Sequence, residues 1–206
     1  MKTAYVAPVV ALALAAAMPV FASQQTSGSA KLESLRGTLI TMVSEDRGIP
    51  ARIWAKGNNT RTELTDGRQK TVTIQLGDTM YTYLEGSTKP GMKQYLGRGL
   101  GSMGLIRQIE EIKAKGKQQT PEEIEGVRYD KYEYESNDRR EVAVVYLSAD
   151  TSLPRIWLSL VKAGEKDVSV LRMHYRDMQA NVEIPDELFK LPPDVTFSEE
   201  PKNRRP

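Results

Sequence analysis

Thr71-Val72-Thr73-Ile74-Gln75-Leu76-Gly77-Asp78-Thr79-Met80-Tyr81-Thr82-Tyr83-Leu84 decides the fold. Apolar Val72, Ile74 and Leu76 alternate with polar Thr71, Thr73 and Gln75, the period of two of a strand with one buried face. Gly77-Asp78 is a two-residue turn with glycine first, where a hairpin reverses. Such a turn sets the register: Leu76 faces Thr79, Ile74 faces Tyr81, and Val72 faces Tyr83. One side of the hairpin is then aliphatic and aromatic. The other carries Thr73, Gln75, Met80, Thr82 and Leu84, and is mixed. A sheet with apolar groups on both faces needs cover on both, or a ligand on one.

Residues 127–147 repeat the pattern around a tip of Ser136-Asn137-Asp138-Arg139-Arg140. Pairing Glu135 with Glu141 sets Tyr134 opposite Val142 and Tyr132 opposite Val144, a second aromatic and β-branched face. Further strands are predicted at 37–44, 51–56, 59–64, 155–162 and 168–177. Asp46-Arg47-Gly48 turns the first pair and Ala163-Gly164-Glu165-Lys166 the last. Short turns make successive strands antiparallel. One helix is predicted over 102–115: Leu105, Ile106, Ile109 and Ile112 share a face, Ser102 caps the start and Gly116 ends it. Thr120-Pro121-Glu122-Glu123 has the capping-box pattern of a second, short helical start. Lying midway through the strands, the helical segment can cross one face of the sheet as a lid or plug.

The chain's first residues bound where it works. Lys2 precedes an apolar run, 6–21, and Val20-Phe21-Ala22 offers a peptidase site, the pattern of a secretory leader cleaved after Ala22. The run is short for a bilayer span of about 20 residues, and Pro8 and Pro19 weaken it. The chain is therefore expected not to span a membrane once cleaved. Residues 23–34 read as a flexible lead-in, 35–197 as one domain, and 198–206 as a disordered tail. Losing Lys2 lowers the formal charge from +2 to +1, and a near-neutral chain gives no electrostatic reason to expect nucleic acid or an anionic membrane as a partner. The chain has no cysteine, so it is neither stapled by disulfides nor lipid-anchored through one. An exported chain of this kind suits a bacterial periplasm.

The residue inventory argues against catalysis. His174 is the sole histidine and lies mid-strand, with no nucleophile-elbow motif in the chain. A Cys–His pair and a histidine-rich zinc site are both excluded. Glu110-Glu111 and Glu122-Glu123 are adjacent pairs that diverge on a helix instead of sharing a site. Gly99-Leu100-Gly101-Ser102-Met103-Gly104 matches the dinucleotide fingerprint, but no βαβ unit surrounds it, so it reads as a loop or lid hinge. No cofactor and no metal are expected. The aromatic set is more informative. Ile74, Tyr81, Tyr83, Tyr132, Tyr134, Trp157 and Met173 all fall on predicted strands. They form either an ordinary core or an apolar hollow for a hydrocarbon chain, with tyrosine tips at its rim.

Three segments resemble the LolA-like periplasmic proteins. Lys56-Gly57-Asn58-Asn59-Thr60-Arg61-Thr62-Glu63-Leu64 looks like their K-G-x-x-x-R-x-E strand. Asp150-Thr151-Ser152-Leu153-Pro154 resembles their acidic turn before a strand, and Ile184-Pro185-Asp186-Glu187-Leu188-Phe189-Lys190-Leu191-Pro192 their closing I-x-x-x-x-F-x-x-P signature. The resemblance implies an α+β fold, an antiparallel β half-barrel with helices covering its concave face. It implies a non-catalytic periplasmic carrier of lipid or lipoprotein acyl chains, with Arg61 as the residue that holds the lid. The same scaffold could instead serve as an envelope sensor or protein-interaction module. Only residues 30–35 are left for the helix that precedes the first strand in that family.

Overall fold

The computed structural model describes residues 31–44, 47–97, 99–135, 141–163 and 166–199. The predicted leader, residues 136–140 at the tip of the second hairpin and residues 200–206 lie outside them. The chain runs β1 (Ser34–Ser44), β2 (Arg47–Lys56), β3 (Asn59–Asp66), β4 (Gln69–Leu76), β5 (Thr79–Leu84), β6 (Gly91–Tyr95), α1 (Leu105–Lys115), β7 (Lys117–Gln118), β8 (Glu122–Ile124), β9 (Val127–Glu135), β10 (Glu141–Ser148), β11 (Pro154–Ala163), β12 (Lys166–Ala180) and β13 (Phe197–Glu199). Two 3-10 turns, Leu100–Ser102 and Asp186–Phe189, complete it. The strands make one open sheet in the order β13-β6-β5-β4-β3-β2-β1-β12-β11-β10-β9-β7, with β8 also on β9. All pairs are antiparallel except β13 with β6. No helix among the described residues is long and apolar enough to cross a membrane.

The opening hairpin takes the register its turn dictates, with Leu76 opposite Thr79, Ile74 opposite Tyr81 and Val72 opposite Tyr83. Gly77 sits at φ 60°, a conformation glycine adopts without strain. The second hairpin differs by one residue: Glu135 pairs with Val142, Tyr134 with Ala143, and Tyr132 with Val145. A one-residue slip changes which aliphatic set shares the tyrosine face. Here it selects Val145 and Leu147, both essentially buried.

Other local expectations are corrected. Residues 120–123 do not start a helix. Glu125 and Gly126, both at positive φ, form a tight turn that pairs Glu122 with Tyr129, so 122–124 is β8. Three residues before such a turn can pair as a strand but cannot complete a helical turn. Arg47 and Gly48, expected to turn the first pair, belong to β2, and Asp46 of the same expected turn lies outside the described residues. Leu32 and Ser34 of the expected lead-in are buried, and Ser34 already belongs to β1, so no helix precedes the first strand at 31–35. Ser198 and Glu199 of the expected tail pair with Met92 and Lys93.

The sheet must curl. Helix α1 begins on β3, where the Leu105 N–H donates to Thr60 Oγ1 at 3.0 Å. It ends at β9, where Lys117 pairs with Glu133. Six inter-strand steps separate β3 from β9. In a flat sheet that is about 29 Å. Eleven helical residues span only about 17 Å. Both ends are bonded, so β3 and β9 close in around the helix. The core fills the space between, with Leu105, Ile106, Ile109 and Ile112 packed against Leu35, Ile53, Ala55, Tyr132, Val145, Leu147, Trp157 and Tyr175. Among the described residues α1 is the one α-helix on this face, where the resemblance implied several.

The far face has its own cover. After β12, Asn181 at φ 51° turns the chain, and its Oδ1 accepts the Glu33 N–H at 2.9 Å. Residues 181–199 then cross β3 and β4 to the β6 edge. Ile184 and Phe189 are buried on this path, as are Val72 and Ile74. Phe197 meets Tyr81 and Tyr83 edge-on, at centroid distances of 5.2 and 6.0 Å.

Candidate functional site

The residues expected to line one hollow fall on opposite faces. Ile74, Tyr81 and Tyr83 lie under the C-terminal segment, as their register with Arg61 and contacts with Phe197 place them. Tyr132, Tyr134, Trp157 and Met173 lie on the face that carries α1. The division follows from strand parity: side chains two apart share a face, and direct partners share it across a ladder.

On the helix face one row crosses six strands without interruption: Tyr132, Val145, Trp157, Met173, Thr41 and Ile49 are successive direct partners on β9, β10, β11, β12, β1 and β2. Burial grades along it. Val145 is 0% exposed and Trp157 5%, whereas Ile49 is 37% exposed. The adjoining row runs Tyr134, Ala143, Ser159 and Leu171, and Val43 on β1 stands beside its end. Leu171 is 37% and Val43 63% exposed. Among the described residues, three of the six exposed large hydrophobics thus cluster on one face, at the end of the strands that α1 leaves uncovered. Sequence reading missed Val43, Ile49 and Leu171. Their signal is the alternation in 39–43, which has meaning only once β1 is known to be central.

Helix α1 is seated by tertiary bonds. The Gly104 N–H donates to Asn58 Oδ1 at 2.9 Å, next to the Leu105–Thr60 bond. The β2–β3 turn therefore caps the helix, and Ser102, the expected cap, instead bonds Gly99 O. A Cβ at Gly104 would stand 2.5 Å from the Asn58 carbonyl, so glycine is needed there. Gly99, Gly101 and Gly104 lie on the connection into α1, in an antiparallel sheet with no βαβ unit. At the far end Tyr134 Oη lies 3.5 Å from Glu111 Oε1. Burial and the Glu111 charge hold the Tyr134 hydroxyl above its ordinary pKa. It stays protonated and is a polar tip at the rim of an apolar floor.

Arg61 is not on the helix side. It is buried on the opposite face, where Nε donates to Glu63 Oε1 at 2.7 Å and Nη1 to the Leu188 carbonyl at 3.0 Å. Lys70 Nζ completes the cluster 3.0 Å from Glu63. Burial alone would raise the Glu63 carboxyl, but bonds and charge from Arg61 and Lys70 outweigh it and hold the group low. What Arg61 secures is the C-terminal segment.

His174 also faces away from α1, opposite Ile40 and Ile156. Among the described residues its buried Nε2 has no hydrogen-bond partner, and burial, with the charges of Arg172, Arg155 and Arg176, pushes its pKa down. The unfolded chain therefore takes up the proton first, at about pH 6.5. His174 contributes stability above that pH and loses it as the pH falls toward the lower folded value. Wild type is expected to lose more denaturant resistance between pH 7.5 and 5.5 than His174→Gln; equal losses would contradict it. Among the described residues no group of His, Asp and Glu stands at metal-binding distances. A polar cleft of about 550 Å³ beside Lys56, Asn181 and Asp186 lies off the apolar rows.

No protein-family model matches the chain, and a search of curated proteins finds no match. Among solved structures, it is similar to an uncharacterized conserved protein from Thermus thermophilus, at 12% identity and TM-score 0.54, covering 85% of this chain and 93% of that one. A Pseudomonas aeruginosa MucA/MucB complex is matched at 15% identity and TM-score 0.45, covering 82% of this chain and 59% of that one. The LolA superfamily protein NE2245 from Nitrosomonas europaea is matched at 13% identity and TM-score 0.38, covering 78% and 90%. At these identities the likeness concerns the fold alone. The fold is an open antiparallel sheet curled on one helix, and a LolA superfamily protein is among its structural neighbours.

Proposed function

We propose that this chain is an exported, non-catalytic carrier or binding protein for an acyl chain of a lipid or lipoprotein, and that the helix face of the half-barrel is its site. The observation that carries the reading is the row from Tyr132 through Trp157 and Met173 to Ile49, which passes from the covered core to open surface on one face. A hydrocarbon chain entering at Val43, Ile49 and Leu171 meets a mostly apolar floor, broken by the hydroxyls of Thr41 and Ser159. To go deeper it must displace α1. Four buried helix side chains are worth about 6–12 kcal/mol, and fourteen buried methylenes about 11 kcal/mol. The exchange is near balance, so α1 acts as a plug that a long chain can replace and a short one cannot.

A second reading, an envelope sensor or interaction module, has one observation in its favour. Ile106, Ile109 and Ile112 already fill the interior, each at 2% exposure or less. Native mass spectrometry of the protein from an exporting host, before and after delipidation and on rebinding, separates the two. The carrier reading expects a one-to-one lipid or lipopeptide adduct that is lost on extraction and regained with long-chain fatty acid. A chain that binds none of these overturns it. Sequencing the secreted amino terminus checks the leader, with Ser23 expected first.

A further inference from the structure

The outer face of the same strands carries a different pattern. Arg36, Arg52, Arg172 and Arg176 are exposed there, each next to a core residue that points the other way: Leu35, Ile53, Met173 and Tyr175. Register spreads them across three adjacent central strands. Arg52, Thr38 and Arg176 form one row, Pro50, Ile40, His174 and Ile156 the next, and Met42, Arg172 and Leu158 a third. Among the described residues, Arg36 bonds the neutral Gln179, at 2.8 Å. Arg52, Arg172 and Arg176 have no ion pair among the described residues. The nearest carboxylate in these rows, Glu63 opposite Arg52, is already held by Arg61 and Lys70. Glu133, at the far end of the Arg172 row, stands three strands away. The middle of the patch, Ile40, Met42, Ile156 and Leu158, is apolar and half-buried, and His174 among them is neutral.

We infer that this arginine-cornered face docks the protein on an anionic lipid surface. The curl around α1 makes this face convex, so it can touch a plane of headgroups, and guanidinium groups suit phosphate. β1 and β12 are interior strands with both ladders filled, so there is no free edge here on which an acidic peptide could add as a strand. The charge is local: the chain as a whole is near neutral and gives by itself no reason to meet an anionic surface, whereas this face gathers four exposed arginines. Arginine stems lie over the apolar centre while their heads reach the phosphates. The inference does not rest on the acyl-chain reading, since it concerns the other side of the sheet.

The test is co-sedimentation of the exported protein with vesicles of phosphatidylcholine alone or with one-third phosphatidylglycerol, at about 0.1 M and 0.5 M salt. Binding is expected only to the anionic vesicles and is expected to fall steeply at the higher salt. At about 5-fold per arginine, the Arg52→Gln/Arg172→Gln/Arg176→Gln variant loses about 100-fold in partitioning. These side chains are exposed, so its thermal midpoint is expected to stay that of wild type, and Arg68→Gln/Lys89→Gln/Arg128→Gln, on other exposed sites, retains binding. Equal binding to both vesicle types, a triple variant that binds like wild type, equal loss in the control variant, or capture of poly-glutamate without capture of vesicles would each overturn the inference.

Discussion

Ile112→Ala is expected to lower the unfolding free energy by about 4 kcal/mol, toward the upper part of the range for a buried isoleucine cut to alanine. Ile112 is 0% exposed and sits in the last turn of α1, among side chains from both halves of the sheet. The structure can do little to fill the void, because the facing residues belong to paired strands. An eleven-residue helix is marginal alone, so what holds α1 folded is this contact and its neighbours. Loss of helical ellipticity should therefore precede loss of the strand signal in urea. Lys113→Ala, on the exposed side of the same turn, is expected to change stability by about 0.5 kcal/mol or less. Equal effects at the two positions would mean that α1 is not packed as described.

Arg61→Ala is expected to cost about 3 kcal/mol by a different route. Arg61 and Glu63 side chains are 10% and 11% exposed, so removing the guanidinium leaves a nearly buried carboxylate with Lys70 alone. It also strips the donor from the Leu188 carbonyl. The C-terminal segment should loosen, and limited proteolysis should cut within 181–199 well before wild type is cut there. Arg61→Lys keeps the charge but cannot aim at Glu63 and Leu188 together, so it should recover stability only in part. The pH response has a fixed sign. Glu63 is held low in the folded chain, so its contribution is present above about pH 4.3 and lost as the pH falls through the lower folded value. Arg61→Ala should weaken that acid dependence.

Local rules carried the hairpin at 71–84 because Gly77-Asp78 leaves a single register and the strand alternates cleanly. They missed by one residue at β9–β10, where five turn-forming or charged residues, 136–140, separate the strands in sequence and do not fix the pairing as a two-residue turn does. The helix stripe at 105, 106, 109 and 112 was legible for the same reason as the hairpin, being periodic. Its cap was not, because Asn58 and Thr60 lie more than forty residues upstream. The candidate site was half legible. Aromatic residues on strands could be found by pattern, but which face each occupies depends on strand order. That order places β1 beside β12, across almost the whole chain. This non-local pairing joins Trp157 and Met173 to Thr41 and Ile49, and it sends Ile74, Tyr81 and Tyr83 to the other side. The carry-over of Arg61 as a lid residue followed the R-x-E match of Arg61 and Glu63 alone, whereas the strand parity sets Arg61 against the C-terminal segment.

The chain has two tryptophans, Trp54 and Trp157, and the sheet separates them. Trp157 stands in the helix-face row, and Trp54 pairs with Arg61 on the opposite side. Fluorescence of Trp54→Phe, titrated with a fatty acid brominated along its chain, therefore reports occupancy of the row itself. Strong, saturable quenching of Trp157, with none of Trp54 in the Trp157→Phe protein, is the predicted result. Unquenched Trp157 at saturating ligand, or equal quenching of both residues, would contradict a chain-binding row beneath α1.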